Sequence, residues 1–350
     1  MRRLVVFGAL VGASAFALTS AAPAGACGAL LGANGTIQLV KTTTLAAYSD
    51  GVERYVTAFE FTGEGEEVGS IIPLPDVPTD VVRGGDWTLQ RLVQEVAPPV
   101  DGDVAFAPSA AADSGAGAEV LLETQIDALD ITVLRGGGDE VGEWAADNGF
   151  LLPPDAPEVL DFYAQRSPVF MAARFDADRA DALDQQAGDS TPIMATIPTD
   201  EPWVPLRILG VGLEADQQVE ADVFMLTDDE PELLAGGPGV DVQRSEQASD
   251  LLLDDLRSDV GMEWVPDSMW LSYLTVDAPA GELDFDLAAS AHPTTKPSLI
   301  DAGVDGLEAV PLSSDHGTAL WPVAVGGGAG LAVLLLGRRR LFGSKGKVSR

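Results

Sequence analysis

The amino-acid sequence predicts an α+β domain, with a largely antiparallel or mixed sheet and several short helices, followed by one C-terminal transmembrane helix. Three observations carry that prediction. Short runs rich in β-branched and aromatic residues recur from Thr36 to Ala289, set apart by Gly, Pro and Asp turns. Apolar residues at helical spacing occur in only a few windows, and these do not alternate regularly with the strands as βαβ units would. Finally, the 19 uncharged residues from Ala319 to Gly337 end on three arginines.

Taken in order, Thr36 to Ala47 reads as a strand, with Ile37, Val40, Thr42, Thr43 and Thr44 supplying β-branched weight. Asp50-Gly51 is a hairpin turn signal, and Glu53 to Phe61 places Tyr55, Thr57, Phe59 and Phe61 on one face. Ser70 to Leu74 is a short strand punctuated by Pro73, Pro75 and Pro78. Asp86 is placed to cap a helix whose Leu89, Leu92, Val93 and Val96 share a face until Pro98. Ala107 to Ala118 is an Ala/Ser/Gly-rich loop, and Glu119 to Arg135 alternates as one or two strands.

Asp139 to Asn148 reads as a helix closed by Gly149, and Asp155 with Pro157 starts another that runs to about Arg166. Strands are expected near 168–175, 191–197, 204–212 and 217–227, with helices over Ala177 to Gln186 and Asp250 to Ser258. Trp270 to Val276 and Leu283 to Ala289 look like a closing hairpin. Beyond Ala289 the apolar period fades and Pro and Ser gather, as in a stalk.

Both ends read as targeting segments. Arg2 and Arg3 precede the apolar run Leu4 to Leu18, and Ala24-Gly25-Ala26 offers small residues at −3 and −1 of a signal-peptidase site. Cleavage there leaves Cys27 first, a position that also admits lipidation, although Ala24 stands where lipoprotein sites usually carry Leu. The C-terminal segment spans about 28 Å as a helix, close to the hydrocarbon thickness of about 30 Å. Trp321 falls where an interfacial aromatic sits, and Arg338, Arg339 and Arg340 put the tail in the cytoplasm by the positive-inside rule. Gly326 and Gly330 have the spacing of a helix–helix contact, so dimerisation through this segment is one reading. The expected organisation is a signal peptide over 1–26, an exported domain over 27–289, a stalk over 290–318, a membrane helix over 319–337 and a basic tail over 338–350. That makes a single-pass type I protein with its main domain outside the cytoplasm.

The whole chain of 350 residues carries −35, and its basic residues are concentrated at the ends. The exported part keeps all 55 acids against 12 bases, or −43, which argues against nucleic acid and anionic lipid surfaces as partners. Such acidity is read first as a well-solvated surface. Adaptation to high salt, or attraction of Ca²⁺ by clustered carboxylates, are the alternatives. A single cysteine removes disulfide frameworks and cysteine-based metal clusters.

Several short motifs resemble one family. They are Ala26-Cys27-Gly28, Glu53-Arg54-Tyr55, Ile72-Pro73-Leu74-Pro75, the run from Trp144 to Pro153 with Asn148-Gly149-Phe150, and Pro205-Leu206-Arg207. In that order, across most of 27–230, they resemble the bacterial exported proteins grouped as domain of unknown function 2330. The resemblance implies an exported, often membrane-tethered domain with no assigned activity, so it transfers no catalytic residues. Similar proteins carry further cysteines near the N-terminus where this chain has only Cys27.

Residues that could carry chemistry are sparse. His292 and His316 fall in the stalk without metal-ligand spacing, and no nucleophile elbow, P-loop or dinucleotide fingerprint is present. Asp178, Asp181 and Asp184, with Asp176, form the densest aspartate series, but an EF-type loop needs Gly and Glu where Asp181 and Ala187 stand. They are therefore at most a weak Ca²⁺ site and otherwise a solvated helix start; no other cofactor is expected. The exported tryptophans read first as buried anchors; Trp203, between Pro202 and Val204-Pro205 and expected on a loop, is the candidate contact for a ligand such as a glycan. The sequence thus favours a non-catalytic binding or cell-envelope module whose partner is an envelope protein or glycan. A hydrolase using acidic residues and a Ca²⁺-dependent structural or adhesion protein are the other readings.

Overall fold

The computed structural model describes residues 29–32, 42–60, 68–97, 118–183, 185, 190–235, 237–290, 296–304 and 310–312. The signal-peptide segment with Ala24, Ala26 and Cys27 lies outside the described residues, as do Asp184, His292, His316 and everything after 312. Residues 315–350 fall wholly in that remainder, so the membrane-helix expectation is neither supported nor opposed there. Among the described residues no helix is long and apolar enough to cross a membrane.

The strands are β1 Ala29–Gly32, β2 Thr42–Ser49, β3 Val52–Glu60, β4 Val68–Leu74, β5 Asp80–Arg83, β6 Glu119–Ile126, β7 Leu129–Arg135 and β8 Val169–Phe175. They continue as β9 Ser190–Pro198, β10 Trp203–Val204, β11 Gln218–Thr227, β12 Leu233–Ala235, β13 Val240–Gln247, β14 Trp270–Pro279, β15 Leu287–Ala289 and β16 Val310–Leu312. The helices are α1 Thr88–Val96, α2 Gly138–Asp147, α3 Ala156–Ala164, α4 Ala177–Ala182 and α5 Asp250–Ser258. The α+β expectation therefore holds.

Seven strands in the order β13-β14-β11-β2-β3-β9-β5 form the main sheet, where β2 and β11 run parallel and the other neighbours antiparallel. A second sheet is ordered β1-β4-β8-β7-β6 and a third β10-β15-β12-β16. On one face of the main sheet Leu45, Val56, Phe224 and Leu226 pack with Leu89 and Leu92 of α1 and Leu252, Leu253 and Leu256 of α5. Its other face joins a larger core with the second and third sheets, α2 and α3, through Tyr55, Ile72, Phe170, Trp144 and Leu206 among others. Strands covered on both faces read as continuous apolar or small-residue runs rather than alternating ones, which is why β2 and β8 look the way they do in sequence.

The β2–β3 hairpin forms as expected, with Asp50 at φ +53° and Gly51 at +75°, the paired positive angles of the tight hairpin turn that Asp-Gly favours. Elsewhere local signals mislead. Asp86 does not cap α1: its carboxylate takes the Arg83 guanidinium at 2.7 Å. The capping carboxylate is Asp259, from just past α5, which accepts from the Asp86 and Trp87 backbone N–H groups and the Thr88 hydroxyl at 2.8–3.0 Å. Trp270–Val276 and Leu283–Ala289 do not pair: β14 lies between β11 and β13 in the main sheet, and β15 joins the third sheet. The 204–212 strand is only β10, after which Arg207–Gly210 forms a 3₁₀ turn. That segment is apolar because it is buried, and side chains rather than a neighbouring strand take the Leu206, Arg207 and Ile208 N–H groups.

Candidate functional site

Where β10 and its 3₁₀ turn meet the C-terminal end of α3, several polar groups are drawn into the core. Asp286, just before β15, is fully buried. One oxygen, Oδ1, accepts the Tyr163 hydroxyl at 2.7 Å and the backbone N–H groups of Leu206 at 2.6 Å and Arg207 at 3.2 Å. The same Tyr163 hydroxyl accepts from the Ile208 N–H at 3.1 Å. Three consecutive backbone donors that a strand would have used in a ladder are thus satisfied by a carboxylate and a phenol. A buried acid can stay in a core on these terms because each donor lowers the cost of its desolvation.

The other oxygen, Oδ2, lies 2.7 Å from Arg166 Nη2, and the Arg166 side chain is only 10% exposed. The angles at this contact miss hydrogen-bond geometry, so attraction there is chiefly Coulombic. Arg166 is instead packed by rings: its guanidinium carbon lies 4.3 Å from the Trp203 centroid, 5.1 Å from Phe162 and 5.4 Å from Tyr163. Cation–π attraction is strongest when desolvated, as here. Trp203 also stacks on Tyr163 with centroids 5.7 Å apart and an interplanar angle of 17°. The pocket is closed by Gly303, at φ +73°, where a Cβ would come within 2.6 Å of Phe162 and 2.7 Å of Arg166 Nη1. Burial pushes the Tyr163 phenol well up, with the Asp286 charge acting in the same direction.

A second buried acid lies near the Trp203 backbone. Glu53 on β3 is fully buried, and neither of its carboxylate oxygens has a hydrogen-bond partner of adequate geometry. Desolvation pushes its pKa up to about 8, opposed only by the nearby Trp203 backbone N–H. Its cross-strand neighbours are Tyr48 on β2 and Ile197 on β9.

The residues singled out from sequence fare differently. Trp203 is not an exposed loop residue: it belongs to β10, is 4% exposed, and has Tyr163 and Arg166 against its ring. Its apolar neighbours Val204 and Leu206 are fully buried too, which is what pulls an aromatic between two prolines inward. Trp87 is the exposed tryptophan among the described residues, at 37%. In the aspartate series Asp178 is exposed on α4 and Asp181 lies on the same helix, while Asp176 takes the Arg179 backbone N–H at 2.9 Å. Among the described residues no group of three or more His, Cys, Asp or Glu is placed to hold a metal ion. Sequence reasoning missed Arg166, Asp286 and Glu53. The Glu53-Arg54-Tyr55 motif held one of them, and an acid flanked by alternating inward residues is the signal that could have found it.

These features define a sheet-rich α+β domain with an internal polar centre. The chain belongs to the family of domain of unknown function 2330, described as an uncharacterized protein conserved in bacteria, whose profile matches residues 21–232. No curated protein matches the chain. Among solved structures, baculovirus P35 aligns at a TM-score of 0.35 and 8% identity, covering 75% of this chain and 96% of that one. A mutated P35 after caspase cleavage aligns at 0.34 and 6%, covering 73% and 96%. At these scores the likeness says nothing about fold or activity.

Proposed function

We propose that this chain is an exported, membrane-anchored domain acting as a non-catalytic binding or cell-envelope module, with an envelope protein or glycan as partner. The observation that carries this reading is the closure of the Asp286 centre. The acid, phenol and guanidinium there are spent on one another, on backbone N–H groups and on rings, an arrangement suited to pinning α3, β10 and β15 together. The leader with Ala24 and Ala26, and the segment from Trp321 to Arg340, support the placement outside a membrane. Within this reading the aromatic contact for a ligand passes from Trp203 to Trp87, which is open to solvent.

Three experiments test it. Full-length chain expressed in a bacterial host should fractionate with membranes and be trimmed by external protease, whereas a chain ending at 318 should be released; a cytoplasmic, protease-protected domain overturns the placement. Purified full chain should capture cell-envelope material, with Trp87→Ala lowering retention about tenfold and Trp203→Phe leaving it unchanged. Turnover of any ester, peptide or glycoside in a broad panel, abolished by Asp286→Asn, would replace the binding reading with the hydrolase one.

A further inference from the structure

We propose that Arg54 is the anion seat of a binding site for a sugar acid, a uronate residue in an otherwise neutral glycan, laid across β3, β9 and β5. Neither the Asp286 centre nor Trp87 uses this residue, although Glu53-Arg54-Tyr55 is one of the motifs that carry the family resemblance.

Its setting departs from that of every other arginine among the described residues. Each of those has a carboxylate oxygen within 3.6 Å of a guanidinium nitrogen. Among the described residues Arg54 has none, in an exported part that carries 55 acids against 12 bases. Its guanidinium carbon lies instead 4.5 Å from the centroid of the Trp264 ring, and the residue is partly exposed. A ring attracts the charge but supplies no oxygen acceptor, so the N–H donors keep their capacity for an oxyanion. Burial lowers the Arg54 pKa and the Asp50 charge raises it, so the group is a partly desolvated cation without a contacting counter-charge.

The loop after α5 holds Trp264 in place. Met262 and Val265 on either side of it are buried, the Val265 N–H donates to the Met262 carbonyl at 3.1 Å, and Arg257 Nε donates to the Val265 carbonyl at 2.8 Å. Gly261 sits at φ +82°, where a Cβ would come within 2.7 Å of the Arg83 carbonyl oxygen. The seat is therefore preorganised, which lowers the entropic cost of binding.

The sheet register sets what lies beside it. Arg54 pairs with Thr196 on β9, and Thr196 with Asp80 on β5. Directly opposed residues in an antiparallel sheet share a face, so the three side chains form a row about 10 Å long from cation to acid. Thr196 is partly exposed and Asp80 is exposed. Thr79 fastens this edge, its N–H and hydroxyl both donating to the Thr196 carbonyl, at 2.8 and 3.2 Å.

A guanidinium, a hydroxyl and a carboxylate in line suit a ligand with a carboxylate at one end and hydroxyls along the rest. The guanidinium fork takes the carboxylate, the Thr196 hydroxyl serves as donor or acceptor, and Asp80 accepts from a sugar hydroxyl. The acid excess of the exported part repels polyanions, which is why the ligand carries one charge in a neutral chain. This inference rests on the glycan form of the binding reading and uses a contact other than Trp87.

The test titrates full chain in detergent micelles with glucuronate, glucose and N-acetylalanine at pH 7 and fixed ionic strength, read by saturation-transfer nuclear magnetic resonance. Glucuronate should bind about tenfold more tightly than either control. Arg54→Gln should weaken it about tenfold, and Arg54→Lys, which keeps the charge but loses the fork, about threefold, as should Asp80→Asn. Arg135→Gln should leave it unchanged, because that guanidinium already has Glu119 at 3.6 Å. Glucose binding as well as glucuronate, or equal glucuronate binding by Arg54→Gln, overturns the anion seat. N-acetylalanine binding as tightly as glucuronate overturns the sugar assignment. Should Arg54→Gln fail to fold, the wild-type ranking and Arg54→Lys decide. Absent glucuronate binding with Trp87-dependent capture intact strikes this site alone, whereas loss of both strikes the binding reading.

Discussion

Asp286 and Glu53 are both fully buried carboxyls, and both lie next to the Trp203 strand. Their surroundings are opposite. Asp286 has a guanidinium, a phenol and two backbone N–H groups within contact, whereas Glu53 meets no partner of adequate geometry. Depth of burial is the same, so burial alone does not decide what a buried acid does. The number and type of donors pointed at it decide whether it acts as a charged pin or as a neutral group waiting for a base. Asp259, 2% exposed and accepting from two backbone N–H groups and a hydroxyl at the start of α1, falls on the Asp286 side of this divide.

Substitutions break the comparison in order of size. Asp286→Ala should be the most damaging, because it strands the Arg166 charge and unpairs Leu206, Arg207 and Tyr163; a loss of about 3–5 kcal/mol is expected by urea denaturation. A loss below about 1 kcal/mol would show that Arg166 finds solvent instead. Glu53→Leu should do the reverse, raising stability at pH 8 by about 1–3 kcal/mol because it removes a fully buried carboxyl whose desolvation only the Trp203 N–H offsets. Destabilisation there would reveal a partner for Glu53 and collapse the contrast.

Asp259→Ala should cost about 1–2 kcal/mol as a lost helix cap, while Asp86→Ala, which breaks only a partly exposed pair with Arg83, should cost under about 0.5 kcal/mol. Equal costs would return the capping role to the local residue. Smallest of all is the response of the exposed acids. Thermal melts in CaCl₂ and in NaCl at matched ionic strength should rise together as surface repulsion is screened. A rise confined to micromolar Ca²⁺ would revive a metal site at Asp178, Asp181 and Asp184.

Much of this was written locally. The Asp50-Gly51 hairpin, the helix closed by Gly149 at φ +87° and the apolar face of α5 each follow from a few neighbouring residues. The α+β class and the family resemblance followed from the same kind of evidence. The misreadings share one cause, which is a partner distant in sequence. Asp86 has the chemistry of a cap, yet Asp259, 172 residues from Trp87, takes the Trp87 N–H. The segment 204–212 has the composition of a strand, yet the Leu206, Arg207 and Ile208 N–H groups turn to Asp286 and Tyr163. Trp203 has the flanks of a loop aromatic, yet its neighbours carry it inward.

By itself the sequence determined the strands and helices whose turns and caps are local, the acidic surface and the expectation of export, because those depend on spacing and charge along the chain. Only the tertiary structure decided that β14 and β15 enter different sheets, and that one buried acid is surrounded by donors while the other has only the Trp203 N–H near it. Donors to a buried carboxylate are recruited from elements far apart in the chain, and no local pattern records which of them will arrive.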